Sequence, residues 1–277
     1  MSEKKADGDF REHSDESRAI WNTNAEWWDD RIGDGNDFQL ELIEPATERL
    51  IDADPGKTIL DIACGAGRLG RRMAELGAHV VAFDFSERFI NRARERTPDD
   101  MKNIEYHVID ATDRGQMLSL GAGHFDGAVA TMCLMDMAEI EPLFAVLPEL
   151  LKPGAWFVFS VIHPCFQPPE MRKFAEMHET EGGFTVRSGV QVTSYITPAM
   201  SKGDGIVGQP QKQFYFHRPL SLLLGMAFER GFVMDGIEEP TFGEKPVDGR
   251  HLRWDAMPEI PPVLVVRLRL RREKGPS

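Results

Sequence analysis

Short apolar segments alternate with longer helical segments from Lys57 to Ile162, and this alternation limits the fold more than any other feature of the chain. Strands are predicted over 58–62, 79–83, 104–109, 125–131 and 155–162, with helices over 68–76, 86–96 and 140–151. Strands separated by helices favour a parallel sheet, because right-handed crossovers then cover both of its faces. We therefore expect a doubly wound, Rossmann-like α/β sheet that binds its ligand outside the carboxyl ends of the strands.

The rest of the chain is predicted to complete a single domain, 1–277. Residues 1–16 are interpreted as a disordered polar leader, and 17–52 as two N-terminal helices. The alternation resumes at 217, with a helix over 219–230 and strands over 232–238 and 263–270, so that 57–163 and 217–271 form the core. Residues 164–216 are too many for an ordinary connection and are expected to form an inserted cap, with a short helix over 171–179 and a strand pair over 186–197.

Composition disfavours several classes of protein. The net charge of -13 disfavours broad contact with nucleic acid, which depends on clustered Lys and Arg. No apolar run is long enough to span a membrane, and the N-terminus lacks the apolar segment of a signal peptide. The three cysteines are widely spaced and fit a reducing cytoplasm. His163 and Cys165 lack further ligand partners, so we expect no metal site.

The segment from Asp61 to Gly67 follows the first strand of the alternating region and contains two glycines. Glycines at this point let the backbone turn sharply and approach a ligand closely. The next helix then presents its N-terminal amides to polar groups of that ligand. Asp84 ends the second strand, 19 residues after Gly65, where a carboxylate can accept hydrogen bonds from both ribose hydroxyls. A nucleotide-like ligand is therefore predicted.

Two kinds of cofactor fit this turn. Residues 65–70 match the G-x-G-x-x-G fingerprint of dinucleotide sites, which favours an NAD-dependent oxidoreductase. Asp61, however, would repel a pyrophosphate and attract a cationic ligand. Asp110 follows the third strand, where it can accept from an adenine amino group, and no Tyr-x-x-x-Lys pair for hydride chemistry is present. A nucleoside with a cationic amino-acid tail fits better.

In these motifs the sequence resembles the class I S-adenosylmethionine-dependent methyltransferases. The corresponding segments are Asp61-x-Ala63-Cys64-Gly65-x-Gly67, Asp84-Phe85-Ser86, Asp110-Ala111, the region from Phe125 to Met132, and Leu150 to Ala155. The resemblance covers roughly 17–163 and 217–271 and implies a seven-stranded sheet with helices on both faces and an antiparallel last strand. It also implies S-adenosylmethionine as cofactor and S-adenosylhomocysteine as product.

The resemblance carries cofactor-binding roles onto particular residues. Asp61 and Gly65 would lie beside the methionine part, Asp84 would hold the ribose, Phe85 would pack on the adenine, and Asp110 would accept from its amino group. The remaining cofactor-binding residues taken from the same motifs are Ala63, Gly67, Ala111 and Met132. The segment around Trp21 and Trp28 resembles an aromatic lid helix. Aromatic residues at helical spacing on one face are, however, also typical of core packing.

Methyl transfer mainly requires alignment of the nucleophile, exclusion of water and, for some acceptors, removal of a proton. His163, just after the fifth strand, is the candidate base, and His217 is a second candidate at the substrate site; either could instead serve only structure. We predict methylation of an oxygen, nitrogen or carbon atom of a small molecule by a cytoplasmic protein that is free to form a homodimer. A tRNA or protein methyltransferase, an NAD-dependent oxidoreductase and a non-catalytic cofactor-binding partner protein remain alternatives.

Overall fold

The computed structural model describes residues 3–4, 8–33, 35–243 and 249–272. Their main feature is a seven-stranded sheet. Its strands are β2 (Thr58–Ile62), β3 (His79–Asp84), β4 (Ile104–Val108), β5 (Phe125–Thr131), β6 (Leu151–Ile162), β11 (Phe232–Glu238) and β12 (Val263–Leu270). A three-stranded sheet contains β1 (Glu3–Lys4), β9 (Ala199–Gly203) and β10 (Gln213–His217), and β7 (Arg172–Thr180) pairs with β8 (Gly183–Gln191).

The strand order in the large sheet is β11-β12-β6-β5-β2-β3-β4. Strands β4, β3, β2, β5 and β6 are parallel to one another, whereas β12 is antiparallel to both of its neighbours. This is the predicted doubly wound sheet with an antiparallel last strand. The strand order reverses between β2 and β5, so the carboxyl ends of these two strands define the expected ligand site.

Helices cover both faces of the sheet, as predicted. They are α1 (Ser14–Ile32), α2 (Glu44–Leu50), α3 (Arg68–Glu75), α4 (Glu87–Arg96), α5 (Arg114–Leu118), α6 (Glu141–Leu150) and α7 (Leu220–Phe228). Alternate strand residues enter two separate cores, one beneath α5, α6 and α7 and the other beneath α2, α3 and α4. Burial on both faces explains why the central strands are almost continuously apolar.

The structure differs from the sequence prediction at two segments outside the large sheet. Residues 171–179 were expected to be helical, but 172–179 belong to strand β7, which pairs with β8 along its whole length. Short segments with few apolar residues have no reliable periodicity, so the cross-strand pairing decides their structure. At the N-terminus, residues 1–2 and 5–7 of the predicted leader lie outside the described residues. Within the described part, α1 begins at Ser14, and Phe10 is fully buried because it packs with Phe214 and Phe216 in a third cluster.

Gly127 lies at a close contact between strands β5 and β6, which gives a test of sheet packing. A Cβ atom at this position would lie 2.2 Å from Cε2 of the buried Trp156 ring. We expect Gly127→Ala to lower the free energy of unfolding by about 2–3 kcal/mol, since a close-packed core accommodates an added methyl group only by strain. Urea denaturation followed by tryptophan fluorescence measures this change.

Gly225→Ala is the matched control for that substitution. Gly225 lies within α7, and no atom comes within 4 Å of a Cβ placed there. We expect this variant to be unchanged or more stable by up to about 1 kcal/mol, because alanine favours helix more than glycine does. Equal destabilisation by the two substitutions would contradict the packing explanation for Gly127.

Candidate functional site

Two adjoining cavities open at the switch point of the sheet. The first, of about 280 Å³, lies at the carboxyl ends of β2, β3 and β5, and the second, of about 540 Å³, lies beside it and is lined in part by residues between 164 and 216. The residues lining both cavities are Trp21, Trp28, Ile32, Gln39, Ile43, Met132 and Asp136. A ligand in the first cavity can therefore contact a second molecule in the other one.

The backbone turns away from the sheet abruptly after each of the two central strands. Ala63, after β2, has φ of +52°, and Met132, after β5, has φ of +51°. Such left-handed conformations are uncommon for residues other than glycine and are concentrated at functional sites. Gly65 and Gly67 also have positive φ, and Gly67 precedes α3. These turns leave the carboxyl ends of the strands open to the first cavity.

The Asp84 carboxylate is held rigidly at the end of β3. Its Oδ2 accepts a hydrogen bond from the Gly65 amide at 3.1 Å, and its Oδ1 accepts one from the Ser86 amide at 2.9 Å. Burial raises the pKa of Asp84 to about 6, and these two amides oppose the rise. Each carboxylate oxygen has a further lone pair, so Asp84, which lines the first cavity, can accept hydrogen bonds from two neighbouring hydroxyl groups.

Asp61 is a buried carboxylate that the protein leaves incompletely paired. Its side chain lines the first cavity, and its Oδ2 has no hydrogen-bond partner among the described residues. Burial, followed by the negative charge of Asp84, raises the pKa of Asp61 to about 7, and the nearby Gly70 amide and the positive charge of Arg71 oppose this rise only in part. An unpaired buried carboxylate is costly unless a ligand supplies a donor or a positive charge. The site therefore favours a cationic group beside Asp61.

Asp110, the predicted partner of the adenine amino group, already has several contacts. Its Oδ1 accepts from the amide and the hydroxyl of Thr112, each at 2.8 Å, and its Oδ2 lies 2.5 Å from the guanidinium of Arg18. Arg18 belongs to α1, so this ion pair fastens that helix to the rim of the first cavity. Most of the predicted cofactor residues line that cavity: Asp61, Ala63, Gly65, Asp84, Phe85, Asp110, Ala111 and Met132. Gly67 does not; it packs against Tyr106 instead.

Helix α1 forms a wall of both cavities. Trp21 and Trp28 line each of them, and their ring centroids are 5.3 Å apart. Further along α1, the buried Asp29 carboxylate lies 2.5 Å from Nε of Arg92 and 2.6 Å from Nε of Arg96 on α4. These ion pairs hold the helix that carries both tryptophans.

The Asp29 ion pairs provide a test of how α1 is attached. We expect Asp29→Asn to lower the free energy of unfolding by about 1–3 kcal/mol, because it leaves two arginines facing a neutral amide at a buried position. The affinity for a ligand in the first cavity should fall together with the free energy of unfolding, since α1 forms a wall of that cavity. Chemical denaturation and calorimetric titration measure the two effects. Asp30→Asn is the control, because Asp30 is 69% exposed and also pairs with Arg92; an equal loss there would contradict the prediction.

The second cavity is lined by aromatic side chains and by two carboxylates, those of Asp136 and Asp204. Its aromatic lining residues are Trp21, Trp28, Phe38, Tyr215, Phe216 and Trp254. Asp136, after β5, lines both cavities, and its Oδ1 accepts from Nε2 of Gln213 at 3.3 Å. Burial raises the pKa of Asp136 above its ordinary value. Asp136 was not among the predicted site residues, because only the tertiary structure brings it next to the inserted segment.

The two histidines differ in their surroundings. His163 is almost fully buried, and within the described part of the chain it lines neither cavity. Its Nδ1 accepts from the Cys165 amide at 3.2 Å, and its Nε2 lies 2.9 Å from Oε1 of Glu239. His217 does line the second cavity. Its Nε2 donates a hydrogen bond to the Tyr195 carbonyl oxygen at 2.6 Å. In the neutral ring, Nδ1 is therefore the acceptor nitrogen. Burial lowers the pKa of both histidines, so both are neutral at pH 7.

Comparisons with known proteins agree with this fold. Residues 59–154 match the sequence profile of a family described as a methyltransferase domain. The chain is 30% identical over 141 residues to the ubiquinone biosynthesis O-methyltransferase of Thiobacillus denitrificans, and 32% identical over 145 residues to that of Paraburkholderia xenovorans. Each alignment covers 50% of this chain and 58% of the relative, so the chain spans less than two thirds of the length of these relatives.

Solved structures extend the similarity over most of the chain. An S-adenosylmethionine-dependent methyltransferase from Mesorhizobium loti superimposes with a TM-score of 0.60 at 26% identity, covering 81% of this chain and 96% of that one. The 1,6-didemethyltoxoflavin-N1-methyltransferase of Burkholderia thailandensis, solved with S-adenosylhomocysteine, gives a TM-score of 0.55 at 16% identity, covering 93% of this chain and 90% of that one. In its strand order and in the matched residues 59–154, the chain is therefore similar to S-adenosylmethionine-dependent methyltransferases.

The described residues also bear on membrane insertion. Within 3–4, 8–33, 35–243 and 249–272, no helix has both the length and the apolar character needed to cross a membrane.

Proposed function

We propose that this protein transfers the methyl group of S-adenosylmethionine to a small-molecule acceptor. The observation that carries the proposal is the buried carboxylate of Asp61: this residue lines a cavity that adjoins a second one, and its Oδ2 has no hydrogen bond to the described residues. The amino-acid part of S-adenosylmethionine has a cationic ammonium group and a sulfonium, either of which would compensate this carboxylate. The residues present therefore fit the cofactor.

We assign the binding roles from the contacts of each side chain. Asp84 accepts from the ribose hydroxyls, Phe85 packs on the adenine, and Asp61 with the Gly65 turn binds the amino-acid part. Asp110 is assigned a different role from the predicted one: it holds Arg18 of α1 at the cavity rim. Bound S-adenosylmethionine supplies a methyl group on a positively charged sulfur.

The remaining roles concern the acceptor. Trp21 and Trp28 exclude water where the two cavities meet, and the inserted segment selects the acceptor. The contacts of His163 favour a structural role, because both of its ring nitrogens are engaged and it is absent from the described linings. Asp136 and His217, which line the second cavity, replace it as candidates for handling an acceptor proton. The unpaired state of Cys64, Cys133 and Cys165 supports the predicted cytoplasmic location.

The first experiment is calorimetric titration of the purified protein with S-adenosylhomocysteine, NAD and NADP in parallel. We expect micromolar binding of the first ligand and no binding of the dinucleotides. Tight binding of NAD would overturn the proposal and support the oxidoreductase alternative.

The second experiment separates the classes of acceptor. The protein is incubated with S-adenosylmethionine labelled in its methyl group, together with a cell extract divided into small molecules, RNA and protein. We expect label in the small-molecule fraction. Label confined to RNA or protein would support a tRNA or protein methyltransferase, and cofactor binding without any labelled product would support a non-catalytic partner protein.

A further inference from the structure

The charges that line the second cavity indicate what kind of acceptor it takes. Its ionisable lining residues in the described part of the chain are Asp136, Asp204, Tyr215, His217 and Arg218. Burial, followed by the negative charges of Asp136 and then Asp204, raises the pKa of Tyr215, so both carboxylates act on the same part of the cavity. The cavity therefore contains two acidic groups close to one phenol.

The positive charge of Arg218 does not serve a ligand. Its guanidinium donates five hydrogen bonds to the carbonyl oxygens of Gly8, Leu134, Met137 and Ala138. This arginine is 4% exposed, and its donors are directed to the backbone. An anionic acceptor would therefore find no available cation among the described lining residues.

Asp136 lies where an acceptor must meet the cofactor. It lines both cavities, and Nε2 of Gln213 is the only side-chain donor to its carboxylate within the described part of the chain. Trp21 and Trp28 line both cavities as well. Aromatic faces attract a desolvated cation, adding to its attraction to a carboxylate.

We propose that the acceptor is an amine that enters the second cavity as an ammonium ion, with Asp136 as its anchor and proton acceptor. This inference rests on the proposed methyltransferase function and names the class of acceptor. The ammonium first gives one proton to the Asp136 carboxylate, which leaves a neutral amine with a free lone pair. That lone pair attacks the methyl carbon: the N–CH₃ bond forms, the S–CH₃ bond breaks, and its electron pair remains on sulfur as a thioether. The product is a methylated ammonium ion, and Asp136 releases its proton to water when the product leaves.

The test compares three probes of similar size on the wild-type protein saturated with S-adenosylhomocysteine: 2-phenylethylamine, 2-phenylethanol and 3-phenylpropionate. At pH 7 we expect calorimetry to give at least about tenfold tighter binding of the amine than of the alcohol and no measurable binding of the carboxylate, since a charge-assisted hydrogen bond contributes more than a neutral one. Equal binding of amine and alcohol, or preference for the carboxylate, would overturn the proposal. Saturation with S-adenosylhomocysteine is verified first, so failure of the proposed function is recognised separately.

Two variants then assign the preference to a residue. Asp136→Asn should reduce amine affinity at least about tenfold and leave alcohol affinity within about twofold. Asp204→Asn is the matched control, because Asp204 lines the same cavity but is exposed; it should change amine affinity less than about threefold. An amine preference that persists in Asp136→Asn would contradict the role of this residue. If that variant does not fold, the wild-type series still decides the class of acceptor.

Discussion

Replacing Asp61 with asparagine is expected to weaken the binding of S-adenosylhomocysteine by about 10–100-fold and, above pH 7, to raise the stability of the unliganded protein. The loss of affinity follows from removing a charged acceptor beside the ligand's ammonium group, which contributes about 1.5–3 kcal/mol. The gain in stability follows from removing a buried charge whose Oδ2 has no partner among the described residues. Calorimetric titration and urea denaturation measure the two effects.

The sign of the stability change depends on pH. The pKa of Asp61 is about 7 in the folded protein, against about 3.9 for an unfolded aspartate. Between these values the unfolded state has lost a proton that the folded state retains, so the free energy of unfolding falls as the pH rises toward 7 and is then constant. We therefore expect Asp61→Asn to be similar to the wild type at pH 4 and more stable by about 1–3 kcal/mol at pH 8.

Asp235→Asn is the control for that experiment. Burial acts to raise the pKa of Asp235, but hydrogen bonds and ion pairs with Arg269 and Arg267 lower it overall. Neutralising Asp235 should therefore reduce stability at pH 8, the opposite sign to Asp61, and leave ligand affinity unchanged, since it lines neither cavity. Destabilisation at pH 8 by Asp61→Asn would contradict our account of that carboxylate.

Replacing Asp84 with alanine is expected to reduce both ligand affinity and stability. The substitution removes the acceptor assigned to the ribose, so affinity for S-adenosylhomocysteine should fall at least about 100-fold through two lost charge-assisted hydrogen bonds. It also removes the acceptors of the Gly65 and Ser86 amides. Unpaired amides of this kind cost about 1–3 kcal/mol, and denaturation should detect that loss.

Asp99→Ala tests whether the Asp84 effect belongs to the site. Asp99 is exposed, in the turn before β4, and lines neither cavity. We expect its affinity for S-adenosylhomocysteine and its stability to remain close to those of the wild type. Binding within about threefold of wild type in Asp84→Ala would contradict the ribose assignment and with it the predicted second motif.

The sequence predicted the large sheet closely because its strands are buried on both faces. The bounds of β2, β5, β11 and β12 agree with the prediction, and those of β3 and β4 agree to within one residue. Strand β6 begins earlier than expected, at Leu151, where its first residue pairs with Phe125 of β5. Helix α5 was not predicted; it has only five residues, too few for a recognisable period.

The candidate site was predicted less evenly than the fold. The turn after β2 and Asp84 at the end of β3 lie within a few residues of apolar strands. Their position at the edge of the sheet could therefore be predicted from the local sequence pattern alone. Asp136, by contrast, lies in a loop after β5, and its partner Gln213 is 77 residues away. His163 was predicted because it follows β6 directly, yet the structure surrounds it with Glu239 and the Cys165 amide.

By itself, the sequence determined the doubly wound class of the sheet, the glycine turn, and the acidic residues at the ends of β2 and β3. These features depend on short-range patterns of burial and backbone freedom. Only the tertiary structure decided which side chains meet in the second cavity, that Arg18 and Asp29 hold α1 in place, and that residues 172–191 form a hairpin. These features depend on contacts between segments far apart in the chain. Such contacts are set by packing and charge pairing in the folded chain, and no local pattern encodes them.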